Sequence, residues 1–223
     1  EVVQAVKEKN ENIYVHTDAV QAMPYMKVNM QDIGVDMLSF SGHKIYGPKG
    51  VGVLIIKPQV KIKPLYYGGG QEQSLRPGTE PVALIAGLAK AIELLDEQDS
   101  GYIEKLMHYR DSILKGLVDK YSEVIVLNGD HSNRIPSNIN VRIKGVDAES
   151  LLFLLDKDGF SISTGSACSS HSPEQSHVIK ELGNGNTKAR ECIRVTVGKY
   201  TTEQSVKELL EALYKNIDFL MNK

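Results

Sequence analysis

Tryptophan is absent from this chain of 223 residues, phenylalanine occurs four times and cysteine only twice. Two cysteines, Cys168 and Cys192, make no disulfide framework in a chain this long, and neither belongs to a CxxC or Cys/His ligand spacing. A resident metal site is therefore not expected. No apolar run approaches the roughly 20 residues that cross a bilayer, and the stretch from Val51 to Ile56 is only strand-sized. Residues 1–10 lack the basic start, apolar middle and small-residue cleavage site of a signal peptide. An excess of one charge is missing too, with Lys plus Arg at 26, Asp plus Glu at 28 and a formal charge of −2. That balance leaves no general footprint for nucleic acid or for an anionic membrane. The expectation is a soluble, cytoplasmic protein with no membrane and no direct nucleic-acid partner. An initiator methionine is also lacking. Val2, Val3 and Val6 share one face of a helix whose beginning is missing, as expected of a fragment.

What is present suits a globular chain: 41% hydrophobic and 24% charged residues, enough for one large domain or two modest ones. Residues 13–18, 37–41 and 51–57 read as strands, the first two ending in polar residues. With helical segments between them, they predict an α/β sheet with a site at the strand ends. A glycine- and polar-rich loop follows at 68–79, then a helix over 80–97 that tolerates Pro81 in its first turn. The polar stretch 98–101 marks a boundary, dividing the chain into domains 1–97 and 98–223. The second domain reads as a smaller α+β unit, with helices over 102–121 and 147–157 and strands over 123–127, 138–143, 161–163 and 193–197. A further helix starts near Pro173. The last begins near Thr202, with Thr201 or Thr202 as its cap and Glu203 or Gln204 nearby.

Three places carry chemistry. Lys44 stands between Gly42-His43 and an aromatic-glycine-proline turn, just after a strand. A lysine there, partly desolvated, loses its charge readily and suits covalent attack on a carbonyl. Asp18 closes another strand, where a carboxylate caps backbone donors or faces a ligand. Cys168 lies among small and polar neighbours, Gly165-Ser166-Ala167 before it and Ser169-Ser170-His171-Ser172-Pro173 after it. That is the composition of a displayed loop, on which a thiolate acts as a nucleophile. Cys192 opens the apolar run of Ile193, Val195 and Val197 and reads as a small buried hydrophobe.

Taken together, these motifs resemble a family. They are His16-x-Asp18-x-x-Gln21, Ser41-x-His43-Lys44-x-x-Gly47-Pro48-Lys49-Gly50, Gly68-Gly69-Gly70-Gln71-Glu72, Arg76-x-Gly78-Thr79, Ser163-x-Gly165-Ser166-Ala167-Cys168, and Ile193-Arg194 with Gly198. In this order and joint occurrence they resemble the cysteine desulfurases, fold-type I pyridoxal-phosphate enzymes of the class V aminotransferase group. The resemblance implies the C-terminal part of that α/β fold: the rest of a mainly parallel large-domain sheet, plus a small α+β domain carrying the Cys168 loop. It implies pyridoxal 5'-phosphate held covalently by Lys44, with Asp18 on the pyridine nitrogen and Gln21 near the phenolic oxygen. Ser41 and His43 resemble phosphate ligands, and hydroxyl and imidazole donors suit a phosphate. Thr79 is similar to a phosphate contact supplied by a second subunit, which brings a homodimer with it. Arg194 is similar to the arginine that clamps the substrate carboxylate with its bidentate fork.

The activity so implied removes sulfur from L-cysteine, releasing L-alanine and leaving a persulfide on Cys168 for iron–sulfur cluster assembly or tRNA thiolation, through an iron–sulfur scaffold or another sulfur-acceptor protein. Cys168 would then serve at most as a passing iron–sulfur ligand during transfer. Selenocysteine lyase is the nearest rival, and a non-catalytic dimerisation or sulfur-relay module is the rival outside enzymes. The family's N-terminal part, with a ring-stacking side chain and another phosphate loop, has no counterpart among these residues. An incomplete cofactor site and an exposed sheet edge are therefore expected of this polypeptide alone.

Overall fold

A computed structural model describes residues 1–96, 101–164, 177–179, 181–182 and 189–222. The chain divides into two compact units, Glu1–Asp99 and Ser100–Lys223. The boundary expected at 97/98 lies outside the described residues. Among those residues no helix is long and apolar enough to cross a membrane.

The first unit runs α1 (Val2–Lys9), β1 (His16–Asp18), α2 (Met30–Ile33), β2 (Met37–Ser41), β3 (Gly52–Ile56) and α3 (Val82–Asp96). Its sheet has the order β1-β2-β3. The parallel component is the β1–β2 pair, and β3 closes the sheet antiparallel to β2. Residues 42–51 join β2 to β3, too short a link for the crossover that parallel pairing needs. Strand alternation sends Leu38 and Phe40 into the core with Ala19, Val35, Ile45, Leu88 and Ala91, and leaves Ser39 and Ser41 on the other face.

β1 is shorter than the strand expected over 13–18, because Ile13 and Tyr14 are exposed and the ladder begins at His16↔Met37. Just before that point the buried Asp36 carboxylate takes over the backbone's role. It accepts from Val15 N at 2.9 Å and from Lys7 Nζ at 2.7 Å, with Lys57 Nζ at 3.7 Å. Lys7 also donates to the carbonyl of Ile13, so one carboxylate–lysine pair ties α1, β1 and β2 together.

The second unit runs α4 (Tyr102–Tyr121), β4 (Ile125–Leu127), β5 (Asn138–Ile143), α5 (Ala148–Lys157), β6 (Ser163–Thr164), α6 (His177–Ile179), β7 (Cys192–Thr196) and α7 (Glu203–Met221). Its sheet is antiparallel throughout, in the order β4-β5-β7-β6. Ile139, Val141 and Ile143 are fully buried, as are Leu106, Ile113 and Leu117 of α4, Leu151 and Leu155 of α5, and Leu213 and Ile217 of α7. Polar clamps fix the helices to one another. Tyr121 Oη donates to Asp218 at 2.6 Å between α4 and α7, and Lys215 and Asn216 both donate to Asp158 between α7 and α5.

The cap of α7 is Thr202. Its box is closed by Ser205 rather than by Glu203 or Gln204: Thr202 Oγ1 accepts from Ser205 N, and Ser205 Oγ accepts from Thr202 N. The reciprocal bond requires the third helical position, which Ser205 occupies. Of the helix expected from near Pro173, residues 177–179 and 181–182 fall among the described residues and are helical.

Candidate active site

The Lys44 segment is a 3₁₀ turn, Gly42–Ile45, that continues directly from β2. Gly42 and Ile45 are buried while His43 and Lys44 between them are exposed, so the turn is anchored at its ends and displays its middle. The anchoring depends on missing side chains. A Cβ on Gly42 would stand 3.1 Å from the Pro48 carbonyl and 3.2 Å from Leu88, and one on Gly47 would stand 3.1 Å from Ala91 Cβ. On the other side, a Cβ on Gly87 of α3 would come within 2.6 Å of the Pro48 ring. Glycines at 42, 47 and 87 therefore let α3 lie directly on the lysine turn. Tyr46 pays for the tight exit with a left-handed backbone (φ 64°), held by its N–H on the Gly42 carbonyl.

Ser41 Oγ and His43 Nδ1 meet at 3.0 Å at the start of this turn. Across the sheet, Asp18 is the register partner of Ser39. Strand geometry puts Asp18 and Ser41, one strand over and two residues on, about 8 Å apart at Cα. Asp18 is exposed and its Oδ1 accepts from Val20 N at 2.9 Å, which shapes the turn that carries the exposed Gln21. His16, two residues before Asp18 and on the same face, has its Nε2 3.0 Å from Ser39 Oγ. Ser39 had no prominence in the sequence reading. The signal for it was the alternation that buries 38 and 40 and leaves 39 and 41 half-buried on the other face.

These groups are a hydroxyl and an imidazole beside a displayed amine, with a carboxylate on the adjacent strand. They fit a phosphorylated pyridine carrying an aldehyde: donors for the phosphate, an anion for the ring nitrogen and a nucleophilic nitrogen. Lys44 itself is exposed, so the described residues do not provide the desolvation expected for it. Thr79 is exposed as well and, among the described residues, bonds to none of these groups. It ends a strained loop in which Glu72, Gln73 and Ser74 all have positive φ and Gln71 Oε1 accepts from Gly78 N. Leu65, Tyr66 and Tyr67 beside it are exposed, with the Arg76 guanidinium 5.8 Å from the Tyr66 ring centre.

Arg194 belongs to the second unit, on β7, opposite Asn140 of β5 and Ser163 of β6. It is half-buried, and among the described residues it forms no ion pair. Next to it lies a polar row that the sequence reading missed. Asn128 Nδ2 donates to Asn140 Oδ1 at 2.7 Å and to Cys192 Sγ at 3.4 Å. Cys192 is buried as expected, packed with Ile179 and Ala189, and two residues before Arg194 it shares the arginine's face rather than that of Ile193 and Val195. Burial pushes its thiol pKa up, with the Asn128 bond acting in the other direction. Cys168 and His171 lie outside the described residues.

The family model for aminotransferase class-V matches residues 1–209. The chain belongs to the aminotransferase class-V family. Within that family, this chain is 46% identical over 212 residues to the cysteine desulfurase IscS of Dictyoglomus turgidum, covering 95% of this chain and 54% of the relative. It is 40% identical to a probable mitochondrial cysteine desulfurase of Dictyostelium discoideum, covering 98% and 50%. Among solved structures, a NifS-like protein superposes with a TM-score of 0.86 at 32% identity, over 100% of this class-V chain and 56% of the other. A NifS-like protein from Rickettsia africae gives 0.87 at 29% identity, over 97% and 57%. The chain thus spans about half the length of the relatives it matches.

Proposed function

We propose that this chain is the part of a cysteine desulfurase that carries the cofactor lysine, the substrate-carboxylate arginine and the sulfur-accepting cysteine. The observation that carries the reading is the glycine-clamped turn that displays Lys44 beside the Ser41–His43 pair, with Asp18 on the neighbouring strand. Lys44 would hold pyridoxal phosphate, Ser41 and His43 its phosphate, Asp18 its pyridine nitrogen and Gln21 the phenolic side. When bound, the cofactor supplies an electron sink for the bond changes at the substrate α- and β-carbons.

The chain's own groups do the rest. Lys44 Nζ would move the α-proton. Arg194 fixes the substrate carboxylate through a bidentate pair. Cys168 receives the sulfur: L-cysteine and the Cys168 thiol become L-alanine and a Cys168 persulfide, with every atom conserved. The persulfide passes to an iron–sulfur scaffold or another acceptor protein, and a cytoplasmic setting keeps such a thiol reduced. A homodimer suits the exposed Thr79 and the uncovered Leu65, Tyr66 and Tyr67 beside it, which a second copy would bury.

The test is the absorbance spectrum of the purified chain with added pyridoxal phosphate, repeated with Lys44→Ala. A visible band that disappears in the variant supports a working cofactor site. A folded wild type without a band sinks the claim for this chain alone and favours a sulfur-relay or dimerisation module.

A further inference from the structure

The polar face of the second sheet holds an arrangement that the cofactor chemistry does not explain. Arg194 is a half-buried cation without a partner among the described residues, and Asn140 stands directly across the β5–β7 ladder from it. Side chains so opposed have their Cβ atoms about 5 Å apart on one face. The Asn140 amide is not free to turn. Its Oδ1 is engaged by Asn128 Nδ2 at 2.7 Å, and the same Asn128 nitrogen is held in place by Cys192 Sγ at 3.4 Å. Asn128 is itself buried, and its main chain is fixed on both sides: its N–H donates to the Asn140 carbonyl and its carbonyl accepts from Arg134 Nη2. With Oδ1 taken, Asn140 has only its Nδ2 hydrogens left to offer, and among the described residues nothing accepts from them.

We infer that Asn140 is a second recognition residue for the substrate carboxylate, a neutral amide donor beside the Arg194 guanidinium, and that Asn128 and Cys192 are the positioning residues that lock its orientation. This rests on the reading of Arg194 as the carboxylate clamp. The chemistry favours such a pair. Arg194 supplies the charge and a planar fork, and a fixed neutral donor adds direction without a second cation to desolvate. Cys192 suits the innermost position because a buried thiol stays neutral, so it accepts weakly from Asn128 without placing an anion near the carboxylate.

Titration of the ¹⁵N-labelled chain with L-alanine, which has the α-carboxylate but no thiol, tests this through side-chain NMR signals and needs no cofactor turnover. In the wild type the Asn140 Nδ2 and Arg194 Nε signals should move together with one Kd. Arg194→Ala should abolish binding. Asn140→Ala should weaken it about tenfold, and Asn140→Asp, of equal size but opposing charge, should weaken it further. Asn128→Ala and Cys192→Ala should weaken it a few-fold while shifting the Asn140 amide signals even without ligand. Backbone amide spectra that stay native in each variant separate these effects from misfolding. If Arg194→Ala abolishes binding while Asn140→Ala and Asn140→Asp leave it unchanged, Asn140 has no such role and the clamp reading stands. If Arg194→Ala changes nothing, or the wild type does not bind L-alanine, the clamp reading falls and takes the inference with it.

Discussion

In the Ser100–Lys223 unit, Ile139, Val141 and Ile143 sit at 0% exposure, while in the Glu1–Asp99 unit the edge strand leaves Leu54 at 48% and Ile55 at 44%. One sheet has its apolar face sealed by α4, α5 and α7. The other has an exposed edge strand and, further along the chain, the exposed side chains of Leu65, Tyr66 and Tyr67. The two units therefore display their polar side chains differently. The sealed unit keeps polar side chains on the sheet face opposite α4, α5 and α7, where Arg194 and Asn140 stand. The open unit presents His43 and Lys44 on a turn pinned by a single helix, with Ser39 and Ser41 half-buried on the strand face opposite its core.

Core truncation should separate the two units most strongly. Leu213→Ala in the sealed unit should cost about 3 kcal/mol in denaturant unfolding, within the usual range for a buried leucine. Leu54→Ser on the open strand should cost less than ~0.5 kcal/mol. A large loss from Leu54→Ser would mean that β3 is covered in solution.

The next effect is alkaline. Tyr121 is pushed up to about 12, mainly by burial and then by its bond to Asp218. A group with a raised folded pKa gives stability that is whole below the unfolded value near 10 and lost as pH rises through the folded value. The second unit should therefore lose roughly 2 kcal/mol between pH 10 and 12, and Tyr121→Phe should flatten that limb in thermal melts.

The open unit answers at the acid end. Lys7 and the Val15 N–H beside Asp36 hold its carboxyl below the usual carboxylate range, against the opposing effect of burial. Its folded pKa is lowered, so its stabilisation is present above about pH 4 and lost as pH falls through the folded value. Asp36→Asn should cost about 2 kcal/mol at neutral pH and remove that acid dependence from the first unit. Hydrogen exchange resolved by unit separates this loss from that of the carboxylates in the second.

The smallest effect sharpens the account of the site. Gly87→Ala gains helix propensity but drives a methyl into the Pro48 ring, for a net loss of about 1 kcal/mol. Because Pro48 packs under the lysine turn, the absorbance band from bound pyridoxal phosphate should weaken more than stability does.

Much of this was legible in the chain. The span of α4 at 102–121 and that of β5 at 138–143 follow from apolar spacing, since a period of 3.6 or 2 leaves one face to bury. Lys44, with Ser41 and His43 around it, was legible because the Gly42, Gly47 and Pro48 turn chemistry is local. Asn128, Asn140 and Ser39 were not. Asparagine and serine in and beside strands carry no signal of their own, and their partners lie 12, 64 and 23 residues away along the chain.

Local spacing and turn chemistry, then, determined which segments became helices and strands and which turn displays the lysine, because those preferences act within a few residues. Tertiary structure alone decided that three glycines seat α3 on the lysine turn, and that Cys192, Asn128 and Asn140 form one row beside Arg194. Each of these depends on strand register and on close approach between elements distant in sequence, and no window of residues contains both partners.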